Sequence, residues 1–136
     1  MAIKKFLFVN QDGYYEEGTV EGLISTFNCD ASLNAGDLVM VSSTITDGVD
    51  KVVDNNDVRS VIGWVYDKPT TTTAGVLTKG VIDNLSGLTK AGKVFLTTSG
   101  TFGSTMPTTG YLHILGHAVD PDTIDFDPVN TKIKLS

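Results

Sequence analysis

The sequence predicts an all-β protein: one β-barrel or β-sandwich domain with a partial internal repeat and an N-terminal arm. Three observations predict it. Short runs of alternating apolar and polar residues recur along the chain, clusters of Gly, Asn, Asp and Pro separate them, and helical periodicity is nearly absent. A length of 136 residues allows one compact core that buries roughly two-thirds of the unfolded surface. Hydrophobic residues at 40% against 19% charged exclude the composition of a disordered chain.

Taken in order, residues 3–9 have good β propensity and read either as a first strand or as an arm. Residues 1–27 are therefore set apart as arm or first strand, and residues 28–136 as the β domain. The one segment where a helix is a candidate is 16–24, and Gly18 and Gly22 argue against it, each costing about 1 kcal/mol relative to Ala. Residues 37–43 put Leu38 and Met40 on one face and Val39 and Val41 on the other, as in a strand covered on both sides. Asp47-Gly48 supplies a turn, 49–53 a second short strand, and the Asp/Asn cluster at 54–57 another turn. The strand pattern resumes over 58–66. Pro69 and the four threonines after it suit an extended edge segment, an exposed loop or a linker. Residues 75–82 form a strand bracketed by glycines, 83–87 a loop, and 93–98, 111–119 and 123–126 the remaining strands.

The two halves resemble each other. Residues 33–43 align with 88–99 after one inserted residue, and Ile62-Gly63-Trp64-Val65-Tyr66-Asp67 aligns with Leu115-Gly116-His117-Ala118-Val119-Asp120. Gly63 and Gly116 each interrupt an apolar strand, which marks a bulge or the close approach of another backbone. Two units are too few for a solenoid and describe halves of one barrel or sandwich.

Charge and motifs exclude several functions. A net charge of −6 and a pI near 4.6 oppose binding to nucleic acid or to anionic membrane surfaces. The apolar run at 6–9 is too short for a secretion signal, and no stretch approaches a membrane span, so a soluble chain made without an export signal is expected. Cys29, the single cysteine, rules out an internal disulfide and reads as a small buried hydrophobe. His113 and His117 fall on a strand, where four residues span roughly 13 Å, too far for a shared zinc ion. They read instead as members of a face with Tyr111, Leu115 and Val119, suited to a subunit contact. Asp120, Asp122, Asp125 and Asp127 lack the central glycine and closing glutamate of a calcium loop and read as a solvated acidic turn. Glu16-Glu17 are adjacent, which gives no convergence of two carboxylates. No serine-nucleophile elbow, phosphate loop or dinucleotide fingerprint occurs. No catalytic residue, metal ligand or cofactor site is assigned, and a non-enzymatic protein is expected.

Aromatic residues carry a different message. Phe6, Phe8, Tyr14 and Tyr15 crowd into one short segment beside Lys4 and Lys5, as in an arm that docks on a neighbour or in an ordinary first strand. Trp64, the only tryptophan, is either a half-buried core residue or an interface anchor. These five are the candidate contact residues.

The start of the chain through Tyr14, the segment Gly75-Val76-Leu77-Thr78-Lys79-Gly80-Val81, then Gly87-Leu88-Thr89, Val94-Phe95-Leu96-Thr97-Thr98-Ser99-Gly100 and Leu115-Gly116-His117-Ala118-Val119 together resemble small β-rich virion proteins of tailed bacteriophages. These are the capsid decoration (cement) proteins and the shell-proximal domains of head fibres. The resemblance implies a homotrimer on the outer surface of the capsid, made in the host cytoplasm and placed where several copies of the major capsid protein meet. It implies no enzyme. An acidic, cofactor-free β domain is compatible with that role, and cyclic symmetry would cover exposed sheet edges. The alternative is a receptor- or glycan-binding module of a phage head or tail fibre. Its partner would be a host-surface glycan, held in a shallow site formed by the polar loops at 70–73 and 100–105.

Overall fold

A computed structural model describes residues 4–9, 15–20, 22–129 and 132–135, the first two ranges as backbone alone. The strands in chain order are β1 (Lys4–Val9), β2 (Tyr15–Val20), β3 (Gly22–Cys29), β4 (Leu38–Val41), β5 (Gly48–Lys51), β6 (Val61–Thr70) and β7 (Thr73–Ile82). They continue with β8 (Lys93–Leu96), β9 (Phe102–Gly103), β10 (Tyr111–Leu112), β11 (Ile114–Asp120), β12 (Thr123–Phe126) and β13 (Ile133–Lys134). Among the described residues there is no helix. Of the helix candidate at 16–24, residues 16–20 and 22–24 are extended, in β2 and β3. Its two glycines weaken a helix, and β3 instead gains a ladder to β7 from Gly22↔Gly80 to Asn28↔Thr73. β3 spans residues on both sides of position 27.

Five strands close a barrel in the order β3, β5, β4, β6, β7 and back to β3. Closure combines the antiparallel β3–β7 ladder with a short parallel contact, Asn28↔Gly48 and Cys29↔Val49. The interior is filled by Cys29, Leu33, Val39, Val49, Val65, Ala74 and Val76. Small and β-branched side chains suit so narrow a space. Cys29 is buried there, as its reading as a small hydrophobe anticipates.

A second core lies on the outside of the barrel. β7 runs past the barrel and pairs through Gly80, Val81 and Ile82 with β12, extending the sheet through β11 and β8 to β9. Leu38, Met40 and Leu77 of the barrel meet Val94, Leu96, Leu115, Ala118, Ile124 and Phe126 of this extension. Phe126 is fully buried and meets Phe102 edge-to-face at 6.0 Å; its burial contributes about 3 kcal/mol. β4 is thus covered on both sides, with Val39 inside the barrel and Leu38 and Met40 in the outer core. Val41, at the strand end, is 55% exposed.

Both interior glycines mark close approaches. A Cβ on Gly63 would collide with Val76, and one on Gly116 with the carbonyl oxygen of Asp125. The sheet registers shift beside them, between Val39 and Met40 opposite β6 and between Ile114 and Gly116 in β11. The second shift corrects one expectation. Tyr111, His113, Leu115, His117 and Val119 do not form one face, because the bulge reverses the alternation. His113 and Leu115 are buried, Ala118 takes the next inward position, and His117 is exposed. The polar run at 69–73 is not a linker. It closes the β6–β7 hairpin, with Thr70 opposite Thr73 and their hydroxyls 2.7 Å apart.

Candidate interaction surfaces

β1 and β2 form an antiparallel hairpin from Lys4↔Val20 to Val9↔Tyr15. Among the described residues it pairs with no other strand. Phe6 and Phe8 stand at alternate positions of β1 and therefore share one face, in register with Gly18 and Glu16. Tyr15 is opposite Val9, at the other phase of the pleat. Tyr14 lies outside the described residues. The hairpin thus brings Phe6 and Phe8 together and separates Tyr15 from them, and Trp64 belongs to a different sheet, on β6.

β3 supplies a second surface. Its partner β5 reaches only Asn28 and Cys29, so over residues 22–27 its outer edge has no strand neighbour among the described residues. Leu23 and Ile24 on this stretch are 67% and 45% exposed. An open edge beside apolar side chains is a template for pairing with another chain.

Trp64 is half-buried, packed against the outer core. It also lines a cleft of about 670 Å³ where the barrel wall meets the loops of the sheet extension. Tyr66, two residues along β6, and Phe102 of β9 line it as well, together with Asp37, Lys51, Asp83 and Asn84. Its walls are pinned. Gly100, with φ +76, packs so tightly on Val52 that a Cβ would strike the Val52 carbonyl. The 97–101 loop is closed by its own hydrogen bonds, Thr97 N–H to the Thr101 carbonyl at 2.9 Å and Gly100 N–H to the Thr97 carbonyl at 3.1 Å. Opposite, Leu85 N–H donates to the Asp122 carbonyl at 2.9 Å.

The strongest electrostatic cluster is structural. Arg59 donates to Asp57 at 2.8 Å, to Asp50 at 2.9 Å and to the Val41 carbonyl at 3.0 Å. Hydrogen bonds from Arg59 hold the Asp57 carboxyl down at about 2. Lys132 donates to the carbonyls of Asp57 and Arg59 at 2.9 and 2.6 Å, tying the C-terminal segment to this turn, and burial lowers its pKa. The acidic run is distributed rather than convergent. Asp120 faces Lys90, Asp125 faces His117 and Asp127 faces Lys79, at 3.5, 3.9 and 3.7 Å.

Sequence reasoning singled out Trp64 and the 100–105 loop, whose Gly100, Thr101 and Phe102 line the cleft, but missed the other lining residues, since the cleft draws on five separated stretches of chain. It also missed the open edge of β3, since edges are a property of pairing. No protein-family model matches the chain, and neither the curated proteins nor the solved structures compared with it give a match.

Proposed function

We propose that this chain is a bacteriophage capsid decoration protein. It binds the outer surface of the assembled head as a homotrimer and stabilises it by bridging major capsid protein subunits. The observation that carries the reading is the β1–β2 hairpin, which pairs with no other strand among the described residues and leads into a closed barrel. A lone two-stranded hairpin is marginal in water and gains stability on a surface that covers it. Phe6 and Phe8 on one of its faces supply apolar anchors of the kind that dominate protein contacts.

The edge of β3, with Leu23 and Ile24, supports self-association, because a closed cyclic assembly covers open edges. Three copies joined in this way would each make a small contact with the shell and gain affinity through high effective concentration. Stabilisation then follows from mass action: a ligand of the assembled shell alone, present at a hundredfold its Kd, adds about 2.7 kcal/mol per site. The acidic surface opposes adhesion to DNA, and the role needs no catalysis or cofactor.

Deleting residues 1–20 removes the whole hairpin and leaves β3 as the first strand. The shortened protein is expected to keep the far-ultraviolet signature of the barrel and to lose co-sedimentation with capsids. Retained capsid binding would assign the contact to another surface.

A further inference from the structure

We propose that the cleft between the barrel and the sheet extension binds a neutral saccharide, one or two pyranose units of a glycan. This goes beyond attachment to a capsid and uses residues outside the N-terminal hairpin.

The lining has the chemistry a sugar requires. A pyranose ring presents apolar C–H faces and a rim of hydroxyls that both donate and accept hydrogen bonds. Trp64, Tyr66 and Phe102 offer rigid aromatic surface for the former, and Tyr66 is 42% exposed. For the latter, Asp83 and Asn84 stand on the rim with no side-chain hydrogen bond among the described residues. A carboxylate accepts from hydroxyls, and an amide does both. Asp37 and Lys51, 3.7 Å apart, add an acceptor and a donor on the opposite wall.

Size and charge narrow the class. About 670 Å³ lies in the range of small-molecule sites and accommodates one or two rings. Two carboxylates against one ammonium disfavour phosphates and acidic sugars. The site is also preformed. The 97–101 loop is closed on itself and docked against Val52 through Gly100, the 83–85 turn is tied to Asp122, and Asn84 is held at φ +61. Fixing both walls in advance removes part of the ordering cost of binding.

The test uses the full chain and its single tryptophan, which lies in the cleft. Glucose, galactose, N-acetylglucosamine, cellobiose, lactose and chitobiose are titrated up to about 50 mM, a range that captures the weak end of specific recognition, while Trp64 fluorescence is followed. At least one sugar is expected to give a saturable change. Tyr66→Ala and Asp83→Ala, both at solvent-accessible positions, are each expected to weaken that sugar tenfold or more while leaving capsid co-sedimentation intact. The absence of saturable change with every sugar, or binding that both variants leave unaltered, would overturn the assignment. Because capsid binding is read separately, failure here is distinct from failure of the decoration role.

Discussion

Gly36 and Ala91 donate backbone hydrogen bonds in the same pattern, and both do so with positive φ, +92° and +66°. Gly36 N–H donates to the Val65 carbonyl at 2.8 Å while Val65 N–H donates to Asp37 at 2.8 Å. Ala91 N–H donates to the Ala118 carbonyl at 2.7 Å while Ala118 N–H donates to Gly92 at 2.9 Å. Each turn thus clamps the middle of a strand that also carries an interior glycine, Gly63 or Gly116.

This correspondence sets up a reciprocal pair of substitutions. An L-residue in the left-handed region costs roughly 1–2 kcal/mol, and glycine gives back part of that through unfolded-state entropy. Ala91→Gly is expected to stabilise the protein by about 0.5–1 kcal/mol. Gly36→Ala should destabilise it by about 1 kcal/mol; nothing lies within 4 Å of the added Cβ, so its cost is purely conformational. Urea unfolding with an unchanged m-value checks both.

Acid stability is predicted to have two stages. His113 is fully buried, with Nε2 2.6 Å from the Val129 carbonyl and Nδ1 without a partner; burial lowers its pKa from 6.5 to about 4. The unfolded chain therefore takes up this proton first, and stability falls as pH drops from about 6.5 to about 4, by on the order of 3 kcal/mol. His113→Gln keeps a donor for Val129 and should remove that slope. The second stage belongs to Asp57, whose folded carboxyl titrates at about 2. Its contribution is present above the ordinary carboxylate range near 3.8 and is lost as pH falls towards 2. Denaturant melts at closely spaced pH values would separate the two windows.

Self-association is expected to depend on the β3 edge. Light scattering on the purified protein should give three times the 14.5 kDa chain mass. Leu23→Asp, at a position 67% exposed, should yield a folded monomer. A trimer that survives this charge would place the subunit contact elsewhere.

Much of the fold was legible because strand patterns are local. The strand pattern at 123–126 has the bounds of β12, and the double cover of β4 is visible in the alternation of Leu38, Val39 and Met40. β3 was not legible, because its pairing to β7 is a long-range event and its local composition is mixed. The face assigned to Tyr111 through Val119 failed because a single bulge reverses every side chain beyond it. Of the surfaces, the aromatic clustering of Phe6 and Phe8 was visible in sequence. Of the cleft, Trp64 and the 100–105 loop are visible in sequence but their meeting with Asp37 and Asp83 is not, since these residues come together only after the sheet has wrapped around the barrel.

The central claim is tested most directly by adding purified protein to capsids stripped of it, in expanded and unexpanded forms, and counting the copies that co-sediment per capsid subunit. Saturable binding at a fixed ratio, in multiples of three per site, is the predicted result. The absence of binding to either form would contradict the decoration role.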